Sequence, residues 1–184
     1  MLRKLLLSAI LMSSVSGLYA QKYMTRTGRI SFNATAPSSP EKIEAVNNEV
    51  ASILDSKTGD LVFQAPMKSF KFERALMQEH FNEKYVHSDK YPKADFKGSV
   101  TDISSVNFSK DGTYNITATG KLTIHGVTKE VKVPGTITVK GNTAKLKAKF
   151  PVTLAEYNVQ VPGVVADKVA KVANIVLDGD LIQK

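Results

Sequence analysis

The chain has 184 residues, no cysteine, and 25 Lys and Arg against 17 Asp and Glu, for a formal charge of +8. Without cysteine it can carry no disulfide, thiol nucleophile or Cys-ligated metal, so packing and backbone hydrogen bonds must hold it together. The lysines are spread along polar strand faces, as at Lys145, Lys147 and Lys149. That dispersal suits solubility and edge protection better than a nucleic-acid surface, and no nucleic-acid partner is expected.

Residues 1–20 read as a cleaved export signal. Arg3 and Lys4 precede an apolar run from Leu5 to Met12, and Gly17-Leu18-Tyr19-Ala20 offers a small residue at a cleavage point before Gln21. The run is too short to span a bilayer. No second run of that kind follows, so the mature chain is expected to have no transmembrane segment. No Cys lies beside the cleavage point for a lipid anchor. Residues 21–184 are then expected to form one exported domain, long enough to bury a sizeable core.

The first predicted strand is Gly28 to Ala36, where Ile30, Phe32 and Ala34 alternate with Arg29, Ser31 and Asn33 until Pro37-Ser38-Ser39-Pro40 stops it. Alternation with a period of two puts apolar and polar residues on opposite faces of an extended chain. A less regular strand runs from Ile43 to Leu54. After the turn cluster Asp55 to Asp60, a third strand carries Leu61, Phe63, Ala65 and Met67 on one face. Phe70 and Phe72 keep the period on the other parity, which predicts a bulge or bend near Lys68.

From Glu73 to Asn82 the spacing changes to three and four, predicting one short helix, and an irregular link then passes Tyr91-Pro92. A strand follows from Phe96 to Ile103. Next comes the longest pattern in the chain. Tyr114, Ile116, Ala118, Leu122 and Ile124 alternate on a rising arm, His125-Gly126 interrupts, and Val127, Val131, Val133, Ile137 and Val139 resume on the return. Gly supplies the positive φ of a tight turn, so this is a long hairpin. Ala144 to Leu154 and Lys171 to Ile182 give two more strands, separated by a loop at Val161-Pro162-Gly163 with one helical turn toward Lys168.

The expectation is an all-β fold of about eight antiparallel strands with one inserted helix. Such a sheet tends to close into a barrel, because closure removes exposed edges. Arms of about twelve residues at ~3.3 Å each, tilted by roughly 40°, give a barrel about 30 Å tall, more interior than a small filled barrel needs.

Two motifs point to a family. Gly120-Lys121-Leu122-Thr123-Ile124-His125-Gly126-Val127-Thr128-Lys129 resembles the central hairpin of the YceI-like family. The segment from Phe72 to Gly98, with Met77-Gln78-Glu79-His80-Phe81, Asp89-Lys90-Tyr91-Pro92 and Phe96-Lys97-Gly98, is similar to the same family's central region. The resemblance covers about Gly28 to Leu181. It implies an extended, lipocalin-like barrel of eight antiparallel strands, exported to the bacterial periplasm, in a family some of whose members hold a polyisoprenoid.

Catalytic signatures are absent from the sequence: there is no Gly-x-Ser-x-Gly elbow, no Cys, and no glycine-rich phosphate loop after a strand. His80, His87 and His125 lack the short convergent spacings of a zinc site, and His125 fits the hairpin turn, where left-handed backbone and a local ring hydrogen bond suit it. Neither an enzyme nor a metal or other cofactor is expected. The candidate ligand wall is the apolar set Phe32, Phe63, Met67, Phe70, Phe72, Met77, Phe81, Phe96, Tyr114, Ile116, Ala118, Leu122, Ile124 and Phe150, since Phe faces and flexible Met thioethers accommodate a hydrocarbon. Lys84, Lys90, Lys93 and Lys97 are candidate contacts for an anionic head group. The expected function is a carrier holding a long apolar ligand, an isoprenoid or related lipid, inside the barrel. The alternative is a filled-barrel interaction or stress-response module without lipid cargo; an enzyme acting on a lipid at the mouth is a weaker third. Sequence leaves open which end of the barrel opens and whether the chain is a monomer or a homodimer.

Overall fold

A computed structural model describes residues 21–184, so the expected export signal lies outside the described residues. The strands are β1 Lys22–Thr35, β2 Glu44–Asp55, β3 Asp60–Pro66, β4 Lys71–Phe72, β5 Lys93–Val100, β6 Gly112–Ile124, β7 Val127–Lys140, β8 Thr143–Thr153 and β9 Val169–Gln183. Every pairing is antiparallel. The order β1-β9-β8-β7-β6-β5-β3-β2 closes through a β1–β2 pairing, giving a barrel of eight long strands. The two-residue β4 also pairs with β2, at Ala45 and Val46, beyond the reach of β3.

β1 starts six residues before the alternation predicts. Tyr23 faces inward, yet the inward set further on is Gly28, Ile30, Phe32 and Ala34, on the opposite parity. Register shifts between Thr25 and Ile30 account for the change, because each extra residue in a strand flips the side chains that follow. β2 changes parity opposite them, from Ala45 and Asn47 to Val50, Ser52 and Leu54. The buried Asn47 braces this irregularity: its Nδ2 donates to the Pro66 carbonyl at 2.8 Å and its Oδ1 accepts from the Glu49 N–H at 2.8 Å. This double parity change is why β2 reads as irregular in sequence.

The bend predicted near Lys68 is a 3-10 turn, Met67–Ser69, that lets β3 and β4 both pair with β2. The helix is α1, Ala75–His80, shorter than the spacing predicts, and it continues as a π turn through Phe81–Tyr85. β5 begins three residues before the predicted strand and ends three before it. Ile103 belongs instead to a 3-10 turn, Ile103–Ser105.

The barrel is packed at one end and hollow at the other. At the packed end Tyr23, Leu54, Leu61, Ile137, Val139, Ala144 and Leu181 are all at most 1% exposed. The Tyr23 ring lies 5.1 Å from Phe108, and burial pushes the Tyr23 hydroxyl pKa above its ordinary value. Along β6, Gly120 faces Gly98 of β5. A Cβ on Gly120 would come within 2.4 Å of the Gly98 Cα and the Lys97 carbonyl oxygen, so these strands approach as closely as they do only because both residues are glycine.

Candidate functional site

The hollow end is defined by strand termini. The C-terminal ends of β1, β3, β6 and β8 and the N-terminal ends of β2, β5 and β9 surround it, and α1 with its π turn lies across it. A cavity of about 440 Å³ begins there. A second, of about 90 Å³, lies deeper, and the two share Ile30, Ala65, Ala94, Leu122 and Phe150 as common walls. The larger volume alone falls within the ~300–1,000 Å³ range of ligand sites.

Four phenylalanines form one side of the outer chamber. Phe32, Phe70, Phe72 and Phe81 have ring centroids 5.0–6.0 Å apart in stacked, tilted and edge arrangements. Such pairs fix one another's orientation at modest energetic gain. Residues four apart share a helical face, so Met77, Phe81 and Tyr85 all turn to the chamber although α1 buries none of its residues fully. The Gln78 side chain ties the helix to β4, accepting from the Phe72 N–H at 3.3 Å.

The expected lining residues distribute over both chambers. Phe32, Met67, Phe70, Phe72, Met77, Phe81 and Ile124 line the outer one, Phe63, Phe96, Ile116 and Ala118 the inner one, and Leu122 and Phe150 both. Tyr114 lines neither. Its hydroxyl donates toward the carbonyls of Asn107 and Lys110, each at 3.3 Å, near the packed end. Sequence reasoning missed Val159 and Val165, which reach the chamber from loops that carry no periodic signal, and Ile175 and Ala173 of β9.

None of the four candidate lysines lines either apolar chamber, and Lys90 borders a separate, more open pocket with His87, Tyr91 and His125. Lys84 contacts His80 Nε2 at 3.1 Å, Lys90 lies over the Tyr91 ring at 5.2 Å, and Lys93 and Lys97 are exposed on β5. The charged residues that do line the mouth are Glu41, Arg74 and Lys168. Glu41 accepts a hydrogen bond from Arg74 Nη1 and lies 3.7 Å from Lys168 Nζ. Its backbone is pinned, since the Glu41 N–H donates to Ser39 Oγ at 3.1 Å and Ser39 Oγ donates to the Glu41 carbonyl at 2.8 Å. Lys168 is held in turn by its carbonyl, which accepts from the Ala36 N–H at 2.9 Å.

His125 does sit in the hairpin turn, with φ 50° followed by Gly126 at φ 76°. Its ring bonds are long-range, not local. Nδ1 lies 3.1 Å from the Tyr157 carbonyl, which can only accept, so Nδ1 carries the proton. Nε2 meets His87 Nδ1 at 2.8 Å, and the two rings stack with centroids 5.0 Å apart. Tyr91 packs edge-on to His125 at 4.7 Å and fills the space where a Cβ on Gly126 would sit. These contacts clamp the β6–β7 tip to the loop after the helix and to the 3-10 turn Leu154–Tyr157. Ile124 and Leu154 thereby keep their places on the chamber wall. No group of three His, Asp or Glu side chains capable of holding a metal occurs among the described residues.

The same shape recurs in solved proteins. A polyisoprenoid binding domain from Saccharophagus degradans superposes with a TM-score of 0.76 at 8% identity, covering 89% of this chain and 98% of that one. BcnA of Burkholderia cenocepacia gives 0.66 at 19% identity, over 82% and 94%. A YCEI protein of Campylobacter jejuni gives 0.56 at 14% identity, over 75% and 83%. At these identities the likeness establishes the fold. A search of the curated proteins found no match. The sequence itself matches the model of the YceI-like domain over residues 12–178, nearly its full length, and the chain belongs to that family.

Proposed function

We propose that this protein is an exported, non-enzymatic carrier that encloses a long apolar ligand, an isoprenoid or related lipid, in its barrel, working in the bacterial periplasm after loss of residues 1–20. The observation that carries this reading is the pair of adjoining apolar chambers, open at the helix end and backed by a packed core. Likeness in sequence and fold to proteins that include a polyisoprenoid binding domain supports it.

The mechanism is burial. At ~25 cal/mol per Å², removing about 330 Å² of apolar ligand surface from water supplies ~8 kcal/mol, the value of micromolar binding before ordering costs. A prenyl chain has that surface and the flexibility to follow the bend from outer to inner chamber. The expected wall from Phe32 to Phe150 would then make contact with the tail. Tyr114 would act as part of the floor.

Organic extraction of the purified protein followed by mass spectrometry tests this. An apolar molecule released in a fixed ratio to protein is the expected result. Protein that carries none, and binds no added prenol, would instead favour a module without cargo.

A further inference from the structure

The mouth carries a specific arrangement of charge that the burial mechanism does not need. Apart from His80 and Tyr85 its wall is apolar except for a small cluster at the rim, and that cluster holds two cations and one carboxylate. Glu41 is the most enclosed of the three, with its side chain 25% exposed against 67% for Arg74 and 47% for Lys168. A carboxylate bridging two cations shows that Arg74 and Lys168 converge on a point where an oxyanion fits.

The far end of the barrel is packed, so a tail can enter only from the helix end and its polar terminus must stop at this rim. The rim's net charge of one positive unit favours an anionic terminus over a neutral one. Ion pairs as exposed as these contribute little to stability, so Glu41 can be exchanged for an incoming anion at small cost. Arg74 supplies the planar fork that matches phosphate or carboxylate oxygens, and Lys168 a mobile point charge.

Resting on the carrier reading, we infer that Arg74 and Lys168 form the receiving site for a phosphate or similar oxyanion at the head of the ligand, with Glu41 as the internal anion that the head displaces. Glu41 thus has two effects. It keeps the two cations in place when the barrel is empty, and it competes with the head when a ligand arrives.

The experiment compares farnesyl phosphate, farnesol and inorganic phosphate as ligands of delipidated protein in titration calorimetry at low salt. Farnesyl phosphate should bind about tenfold more tightly than farnesol, because each half-exposed charge pair contributes a factor of about two to five. Arg74→Gln with Lys168→Gln should abolish that preference while farnesol still binds. Glu41→Gln should enlarge it, and Lys90→Gln with Lys97→Gln should leave it intact. Equal binding of the phosphate and the alcohol, or a preference that survives the Arg74 and Lys168 changes, would overturn the head site while sparing the carrier. Inorganic phosphate binding as tightly as farnesyl phosphate would mean a free-anion site unrelated to a tail, and would also overturn it. Failure of both prenyl compounds to bind would bring down the carrier reading and the head site together.

Discussion

Ala65 stands where the two chambers meet, 4% exposed and opposite Ala94 of β5. Replacing it with leucine asks whether that junction is empty space or packed core, because the two cases predict opposite signs. If it is empty, three added carbons are buried at ~0.8 kcal/mol each, about 2.4 kcal/mol in all. Ordering the leucine side chain takes back ~0.5–1 kcal/mol. The ligand-free variant should therefore be more stable by about 1.5 kcal/mol, which for a domain of this size raises Tm by about 3–6 °C. The same leucine narrows the passage, so affinity for a long prenyl chain should fall. If the junction is already packed, the extra carbons force strain and cost about 1–3 kcal/mol. Urea unfolding of delipidated wild type and Ala65→Leu, with prenol titration of each, decides the matter. A destabilised variant with unaltered prenol affinity would refute the assignment of this junction as a ligand passage.

Ala118→Phe should fill the inner chamber and weaken longer prenols more than shorter ones, leaving the far-ultraviolet circular dichroism of the barrel unchanged; equal loss for every chain length would place the tail elsewhere. Gly120→Ala should cost about 2–4 kcal/mol in urea unfolding, since its Cβ would press on backbone atoms 2.4 Å away. Gly141→Ala is its control: nothing lies within 4 Å there and only the positive φ is strained, so about 1 kcal/mol is expected. His125→Asn keeps a residue that tolerates left-handed backbone but loses the ring's bonds to Tyr157 and His87, and should cost about 1–2 kcal/mol with faster amide exchange at the β6–β7 tip. Backbone N–H groups of Thr58 and Lys57 hold the Asp55 carboxyl pKa below its usual value. A depressed folded-state pKa stabilises the protein above the ordinary carboxylate value of about 3.9 and loses that contribution as pH falls through the folded value. Asp55→Asn should flatten the acid limb of a stability–pH curve, and an unchanged limb would count against this turn as a contributor.

Closure of the sheet was legible because most inward rows are regular. Tyr114 to Ile124 on β6 and Ala144 to Val152 on β8 alternate without interruption, and alternation needs no tertiary information to read. The starts of β1 and β5 were not legible. Tyr23 shares β1 with Phe32 yet faces inward on the other parity, and only pairing with β2 and β9 makes that intelligible. The turn role of His125 was also readable from the Gly that follows it. Its ring partners were not, since Tyr157 and His87 lie 32 and 38 residues away.

An antiparallel barrel of the YceI-like kind with one short helix could be read from the chain alone, because strand period, turn residues and the Gly120-to-Lys129 motif are local properties. The sequence also named every phenylalanine that lines the two chambers, though only a minority of the aliphatic side chains around them. Where the space lies and which charges stand at its rim depend instead on contacts between distant strands and loops. Interior volume depends on how rows from eight strands meet, which made the Tyr23 and Leu181 end solid and the Phe32 and Phe81 end hollow. The rim cations are Arg74 and Lys168, not the lysines clustered around Tyr91-Pro92, because the loops carrying Glu41 and Lys168 fold together across more than a hundred residues through Ala36. Proximity of that kind has no signature along the chain.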